Sequence, residues 1–430
     1  MSSRRPLRFA KVVLFTVAVS GLVELCCSPT DAENYLYPYR DPYLATLSVG
    51  MLRSRPPSRG IDVEKLSITV IPSREHVHLM EGRGHLEALY FRQRHPAPLL
   101  FIVPGAGSQT YDWPSRFLSD RFHARGYHVV LLPGTMTWNF ALAASGSGLP
   151  GIKEQDARDL RRVMTVALEQ IKQDHGAEIT RIGFLGISMG GLDGAYVSDL
   201  ETREHAIGIS RFLLVNPPVD LFYAGRVVDQ LYDEGQNWSK EEKDVLLGKA
   251  IEAFLEFYRE RRTPEDGSFL FDLQLRLPLT DAQRRFLIGY DLKHLVGDVV
   301  YVSQLIRDRG VLKVSGRRGT RSARVAEASA FSVHEYIERL LLPEYAERTG
   351  AQASFDDLGR KSSLRSLPLD SQRNVYVMHN ADDFLVTASD LAFLQQALGG
   401  RLKLYPRGGH VGNVWYPENV AAILATFDSM

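Results

Sequence analysis

A serine flanked by glycines is the residue of this chain best suited to do chemistry. Ser188 is the centre of a Gly-x-Ser-x-Gly pentapeptide that runs from Gly186 to Gly190. An apolar, strand-like run precedes it and a helix-like run follows it, so the chain turns sharply at the serine. Larger side chains would collide on either side of so tight a turn, and glycine at both positions avoids the collision. The pattern predicts an exposed nucleophilic hydroxyl, with the N–H of Met189 aimed at a developing oxyanion.

This motif in this setting resembles the nucleophile elbow of the α/β-hydrolase superfamily, in particular its lipase and esterase branch with a helical cap. In that superfamily an acid and then a histidine follow the serine along the chain. The strand-like run 374–379 leads into a turn with two carboxylates, and the resemblance favours Asp383 as the acid, with Asp382 as an open alternative. His410, in a Gly-Gly-His loop beyond the predicted last strand 402–405, is expected to be the general base.

A second oxyanion donor is expected in the loop after the third predicted strand. The strand-like run 99–103 ends in Pro104-Gly105-Ala106-Gly107, and the resemblance assigns the donor role to the N–H of Ala106. The superfamily often has a His-Gly pair at this point, so the resemblance concerns the geometry of the loop and not its residue types. The implied acyl-enzyme mechanism requires no metal and no cofactor.

The composition limits the classes of partner. The chain has 430 residues, with 51 basic and 51 acidic side chains and 44% hydrophobic residues. The chain is therefore long enough to bury a large core. Its balanced charge does not favour nucleic acid or an acidic surface as a partner. We expect a small-molecule acyl substrate and no nucleic-acid partner. The composition leaves the oligomeric state open.

Residues 1–32 have the pattern of an export signal. Basic residues within 4–11 precede the apolar run 12–23, which is too short to span a bilayer comfortably. Thr30-Asp31-Ala32 offers a cleavage site; the alternatives are lipidation of Cys26 or Cys27, or a retained short membrane anchor. We expect an exported protein, periplasmic or attached to a membrane through this segment. Because both cysteines lie here, the folded body is expected to hold neither a disulfide nor a thiolate zinc site.

Strand-like and helix-like runs alternate before and after the serine, which predicts an α/β fold with a doubly wound, mostly parallel sheet. The alternation stops between 219 and 370, where the pattern becomes helical. We therefore expect an α/β-hydrolase core formed by 33–218 and 371–430, around an inserted helical cap or lid at 219–370. Apolar side chains of the helix-like run 239–262 are expected to pack on the core and in part to line an acyl pocket.

Three further segments are expected to lie outside the chemistry. The tyrosine-rich segment 35–43 is expected to pack as a strap on the domain surface. The glycines of 146–151 match Gly-x-Gly-x-x-Gly, but Pro150 interrupts them and a loop is expected at 138–140, so we interpret the segment as a flexible loop and not as a dinucleotide fingerprint. The arginine-rich segment 313–324 is expected to be an exposed, solvated loop.

The expected function is that of a serine hydrolase acting on a carboxylic ester or thioester with an apolar acyl group. Ser188 would attack the carbonyl, His410 would transfer protons, and Asp383 would orient the imidazole, while the N–H groups of Ala106 and Met189 would bind the oxyanion. Two alternatives stay open: an exported serine peptidase or amidase with the same three residues, and a binding module that keeps the fold without the chemistry.

Overall fold

The computed structural model describes residues 34–51, 63–260, 276–350, 353–428 and 430. The expected export segment with its two cysteines lies outside these ranges, so cleavage, lipidation and anchoring stay predictions. Among the residues that are described, no helix is both long enough and apolar enough to cross a membrane.

One sheet of eight strands forms the centre of the molecule. The strands are β1 Val63–Ile68, β2 Leu86–Phe91, β3 Ala97–Val103, β4 His128–Leu131, β5 Ile179–Ile187, β6 Ile209–Val215, β7 Val375–Asn380 and β8 Leu402–Tyr405. Their order across the sheet is β1-β2-β4-β3-β5-β6-β7-β8. β2 is antiparallel to both of its neighbours, and the pairs from β4 to β8 are all parallel. The prediction of a doubly wound, mostly parallel sheet is confirmed.

Helices cover both faces of this sheet. They are α1 Pro42–Met51, α2 Trp113–Ala124, α3 Trp138–Ala143, α4 Lys153–His175, α5 Met189–Glu204, α6 Leu221–Asp233, α7 Lys240–Glu260, α8 Asp281–Ile306, α9 Arg321–Ser329, α10 Val333–Tyr336, α11 Leu342–Thr349, α12 Phe355–Lys361, α13 Ala388–Leu398 and α14 Pro417–Asp428. α4, α5 and α13 contribute to the core on one face, and α1, α2 and α14 to the core on the other. Strands covered on both faces must be apolar throughout, which is why β3 and β4 lack a polar alternation.

The chain between β6 and β7 is helical in its described part, from α6 to α12. We call residues 219–370 the helical insertion. The predicted helix at 239–262 corresponds to α7 over its described residues. Leu246, Ala253 and Phe257 are buried, as the packing interpretation predicts, but no described residue of α7 lines the cavity at Ser188, so its expected share in an acyl pocket was wrong. α8 packs along α6, and these two helices face the carboxyl end of the central strands. The insertion thus lies over the end of the sheet at which parallel folds place their functional residues.

Two expectations for irregular segments were wrong. Trp138 begins α3, because Thr137 caps the helix by accepting the N–H of Phe140 on its Oγ1 at 3.3 Å. The loop 146–151 is irregular but firmly held, since carboxylates at the start of α4 accept its N–H groups. Gly146 donates to Asp159 Oδ2 at 2.9 Å, and Gly151 donates to Asp156 Oδ2 at 2.8 Å.

The arginine-rich segment was also only partly as expected. Arg317, Arg318 and Arg321 are exposed, in agreement with the prediction. Arg324 lies in α9 and its side chain is 2% exposed, with hydrogen bonds to the carbonyls of Val314 and Gln304. Arg324 therefore donates to a carbonyl near the C-terminus of α8 and does not face solvent.

Residues 34–51, which we call the N-terminal strap, pack on the body beside β8. Tyr35, Tyr37 and Tyr39 are buried, as the packing interpretation predicts. The ring of Tyr35 lies 5.1 Å from that of Tyr405, and the ring of Tyr37 lies 5.9 Å from that of Trp415. The strap is thus an integral part of the core on this face.

Candidate active site

Ser188 occupies a strained turn between β5 and α5. Its φ is +53° and its ψ is −119°, a conformation that costs free energy in any residue with a side chain. The flanking glycines make the turn possible. A Cβ at Gly186 would lie 2.2 Å from the carbonyl oxygen of Gly190, and a Cβ at Gly190 would lie 2.2 Å from that of Val103. Both positions therefore require glycine for steric reasons, as the pentapeptide pattern predicts.

The structure brings the serine, the histidine and one aspartate into a hydrogen-bonded row. Ser188 Oγ lies 2.7 Å from Nε2 of His410, and Nδ1 of His410 lies 2.9 Å from Oδ2 of Asp383. A carboxylate can only accept, so Nδ1 carries a proton and the neutral ring presents Nε2 as the acceptor for the serine hydroxyl. This is the tautomer in which an imidazole can remove the proton of a serine.

Asp383 is completely buried and is held by several donors. Its Oδ2 also accepts the side-chain amide of Asn216 at 2.9 Å, and its Oδ1 accepts the N–H of Leu385 at 2.9 Å. Burial raises the pKa of Asp383, but its interaction and hydrogen bond with His410, the neighbouring His379 and the N–H of Leu385 lower it by more, so the pKa lies below its ordinary value. The carboxylate is therefore ionised and able to stabilise a positive imidazole.

Asp382, the alternative acid, has a different task. Its Oδ1 accepts the N–H of Gly409 at 2.8 Å, so it fixes the loop that carries the histidine rather than the imidazole itself. Burial raises the pKa of Asp382 to about 6, and the backbone donors of Gly408 and Gly409 oppose this shift. Of the two carboxylates that the sequence left open, the structure places Asp383 against His410.

A buried chain of asparagines supports these residues and was not predicted from the sequence. Asn216, with φ of +49°, binds Asp383, and its Oδ1 accepts from Asn380 at 3.4 Å. Asn380 also donates to the carbonyl of Gly409 at 2.8 Å and exchanges hydrogen bonds with Asn413. One available signal is that Asn216 and Asn380 stand at the carboxyl ends of β6 and β7, where polar residues of parallel sheets are often functional.

The two expected oxyanion donors lie beside the serine. Ala106 and Met189 line the same cavity as Ser188 and His410. Within the described residues, neither the N–H of Ala106 nor that of Met189 has a hydrogen-bond acceptor. The oxyanion loop also passes close to the nucleophile, because a Cβ at Gly105 would lie 3.2 Å from Cβ of Ser188. Two unpaired N–H groups next to a nucleophile are the donors that a negatively charged oxygen needs.

A buried cluster of charged side chains links α4 to α5, the helix that follows Ser188. This cluster was not predicted from the sequence. Nζ of Lys153 lies 2.7 Å from both Asp156 Oδ2 and Asp193 Oδ1, and Thr135 donates to Asp193 Oδ2 at 2.5 Å. Burial lowers the pKa of Lys153, but the two carboxylates raise it above its ordinary value. Lys153 also lies 3.6 Å from Sδ of Met189. The cluster thus fixes the first turn of α5, from which the Met189 N–H projects.

A cavity of about 790 Å³, measured to its open mouth, begins at Ser188. The core contributes the catalytic side and the helical insertion contributes an apolar wall. Residues of that wall are Leu221, Ala224, Val228, Leu292, Val333 and Leu341. The mostly apolar lining suits a hydrocarbon chain. In the described ranges, no group of three or more His, Cys, Asp or Glu side chains is placed to hold a metal ion.

Comparisons with known proteins give only distant likenesses. No protein-family model matches the chain, and no curated protein matches it. Among solved structures, an esterase from Pyrococcus furiosus has 11% identity and a TM-score of 0.42, over 91% of this chain and 99% of that one. A thioesterase domain from the curacin biosynthetic pathway has 12% identity and a TM-score of 0.32, over 79% of this chain and 94% of that one. An acylaminoacyl peptidase from Pyrococcus horikoshii has 11% identity and a TM-score of 0.39, over 86% of this chain and 41% of that one.

Likenesses of this size carry no argument about function, so the assignment of the fold rests on the chain itself. The mostly parallel sheet and the strand–serine–helix elbow between β5 and α5 resemble the α/β-hydrolase fold expected from the sequence. The chain thus has a doubly wound, mostly parallel α/β fold with a strand–serine–helix elbow, and a helical insertion lies between β6 and β7.

Proposed function

We propose that the protein is a serine hydrolase that cleaves an ester or thioester of an apolar carboxylic acid through an acyl-enzyme. One observation carries the proposal: the hydrogen-bonded row of Asp383, His410 and Ser188 opens directly into an apolar cavity. A nucleophile and base in contact, with the base oriented by a third group, is the arrangement that activates a serine.

The geometry supports a two-step acyl transfer. In the first step, Oγ of Ser188 bonds to the substrate carbonyl carbon while Nε2 of His410 takes its proton, and the N–H groups of Ala106 and Met189 bind the negative oxygen. The bond to the leaving alcohol or thiol breaks as His410 returns the proton to it. In the second step a water molecule attacks the acyl carbon while Nε2 of His410 takes its proton; the bond from that carbon to Oγ of Ser188 then breaks, His410 returns the proton to Oγ, and the carboxylic acid leaves.

The cavity favours an ester or thioester over a peptide. A peptidase that recognises a free amino group needs an acidic partner for it, and no Asp or Glu is among the described residues that line the cavity. Lys153 reaches the lining, but its ammonium group is bound by two carboxylates and 2% of its side chain is exposed. The remaining wall is hydrocarbon, which binds an acyl chain through burial of apolar surface.

The direct test is labelling with a fluorophosphonate, read by intact mass. We expect one adduct on the parent and none on Ser188→Ala, because the reagent reports an activated serine. Ser210→Ala, which removes a hydroxyl bound to the carbonyl of Ile182, serves as the matched control and should label as the parent does. A folded parent without an adduct would contradict the proposal and favour the binding module.

A panel of nitrophenyl esters and anilides with acyl chains of two to twelve carbons then tests the substrate class. We expect kcat/KM to rise with acyl length, since each buried methylene contributes about 0.8 kcal/mol. A preference for the anilides over the matched esters would favour the peptidase or amidase alternative.

A further inference from the structure

The backbone of the histidine loop is held by the N-terminal strap, from the opposite end of the chain. The N–H of His410 donates to Oγ1 of Thr46 at 2.9 Å, across a sequence separation of 364 residues. The hydroxyl of Thr46 itself donates to the carbonyl of Pro42 at 2.8 Å, in the first turn of α1. Because its hydrogen is used there, its lone pairs are free to accept from His410.

Further bonds join the strap to residues on both sides of the histidine. Tyr37 donates its hydroxyl to the carbonyl of Gly412 at 3.0 Å, and Nε of Arg407 donates to the carbonyl of Tyr37 at 3.1 Å. The side chain of Asn413 donates to the hydroxyl of Tyr35 at 2.9 Å. The loop 407–413 is thus fixed before, at and after His410.

The two backbones also touch, which leaves no room for side chains between them. A Cβ at Gly409 would lie 2.1 Å from the carbonyl oxygen of Pro42, and one at Gly412 would lie 2.6 Å from the carbonyl carbon of Ala45. The loop needs such support, since Gly409 has φ of +58° and the β-branched Val411 has φ of +64°. A branched residue keeps such a conformation only when its surroundings impose it.

The other side of the strap contacts the helical insertion and the turn after β7 that carries Asp383. Oδ2 of Asp41 lies 2.6 Å from Nη1 of Arg284, near the start of α8. The ring of Tyr43 stacks on Phe384 at 4.9 Å, next to Asp383, and the guanidinium of Arg285 lies over the same tyrosine ring. One segment therefore connects the base, the acid and the insertion.

We propose that the N-terminal strap is a positioning element of the active site and that Thr46 is the positioning residue of the general base. This inference rests on the proposed hydrolase function. The strap sets the path of loop 407–413, and this path sets the distance between Nε2 of His410 and the serine hydroxyl. Without the strap the loop relaxes its positive φ values and the imidazole leaves Ser188, while the substrate cavity keeps its shape.

The test compares Thr46→Val with Thr46→Ser. Valine keeps the shape but leaves the His410 N–H without an acceptor, which weakens the hold of the strap on the histidine loop. We expect kcat for a short acyl ester to fall about tenfold with KM within about twofold, and Thr46→Ser to restore it. Thr165→Val is the matched control, because Thr165 makes the same bond to a carbonyl four residues earlier in α4, far from the histidine loop.

Hydrogen exchange of the peptides that cover 407–413 supplies a readout that does not depend on activity. We expect their exchange to become about tenfold faster in Thr46→Val and to be unchanged in Thr165→Val and Thr46→Ser. Parent-like exchange and parent-like kcat in Thr46→Val would overturn the proposal. If the parent is not labelled by the fluorophosphonate, the hydrolase function fails, and hydrogen exchange still decides whether the strap holds the loop.

A second pair of variants tests the same proposal in case Thr46→Val does not fold. Gly409→Ala introduces the collision with Pro42, whereas Gly176 has nearly the same φ, +60°, and no heavy atom lies within 4 Å of the Cβ that Gly176→Ala adds. Both carry the cost of a positive φ, and only the first displaces the strap. We expect a tenfold lower kcat in Gly409→Ala alone; equal kcat in the two variants would contradict a role of the strap.

Discussion

The two sides of Ser188 are held by different forces. On the side of His410 and Asp383, the hydrogen bonds that join Ser188, His410 and Asp383 are 2.7–2.9 Å long, and the Asp383 carboxylate is buried. On the side of the helical insertion, the cavity wall consists mostly of apolar side chains without directional bonds; Tyr336, whose hydroxyl donates to the carbonyl of Pro150 at 2.6 Å, is an exception. Hydrogen bonds fix both distance and angle, whereas apolar contact is non-directional and tolerates exchange of similar volumes. The first side should therefore control kcat and the second the choice of acyl chain.

The largest expected effect is that of Asp383→Asn on the polar side. The amide removes the charge that stabilises the imidazolium and can present its NH₂ to Nδ1, which favours the wrong tautomer. We expect kcat to fall by about 10³-fold to 10⁴-fold with KM little changed, measured by initial rates on an ester substrate.

Asp382→Asn is the matched control for that prediction. Its amide oxygen still accepts the N–H of Gly409, so the histidine loop stays in place and kcat should fall no more than about threefold. A larger loss in Asp382→Asn than in Asp383→Asn would reverse the roles of the two carboxylates and would contradict the geometry of the site.

An intermediate and selective effect is expected from Gly225→Ala on the apolar side. The new Cβ would lie 2.7 Å from Cγ1 of Val333, so the cavity must narrow between α6 and α10. We expect kcat/KM for long acyl chains to fall about tenfold and that for acetyl esters to stay unchanged, since a single methyl in an apolar pocket changes selectivity by about 1–3 kcal/mol.

Gly248→Ala provides the comparison, because this glycine lies in α7 with open space around its Cβ position. Both variants gain helix propensity, and only one alters the cavity. A uniform loss of activity over all chain lengths in Gly225→Ala would show that the apolar side also positions the chemistry, which would break the comparison.

The smallest expected effect concerns pH and stability. Burial raises the pKa of Asp382 to about 6, above its value in an unfolded chain, so the folded state binds its proton more tightly. The stability that the protonated group provides is present below about pH 4 and is lost as the pH rises through about 6. Asp382→Asn should thus gain unfolding free energy relative to the parent at pH 8, by about 3 kcal/mol at most, but not at pH 4.

Urea unfolding at these two pH values measures the difference. If the stability difference between Asp382→Asn and the parent is the same at both pH values, folding does not raise the pKa of Asp382, which would contradict the prediction.

Sequence reasoning found the parts of the site that depend on local rules. The elbow at Ser188 follows from sterics within a few residues, and the order of acid and histidine follows from the resemblance. Thr137 is an ordinary helix cap directly before Trp138, so a local signal for α3 was present where a loop was expected at 138–140.

The unpredicted parts depend on contacts between distant residues. Arg324 is buried because carbonyls at the end of α8 need donors, and nothing near it in the sequence indicates this. Asn216 and Thr46 are ordinary polar residues until the fold places them beside Asp383 and His410. The open choice between Asp382 and Asp383 was of the same kind, since only the path of the histidine loop distinguishes them.

The pairing of Thr46 with His410 has a consequence for the order of events during biosynthesis. The ribosome makes the strap early and the histidine loop late, 364 residues apart, so the two meet only after nearly the whole chain has emerged. Closing so long a loop is slow compared with forming local turns and helices. A nascent chain can thus fold its serine elbow well before it has a base, and we expect it to stay inert towards acyl compounds until the last step of folding.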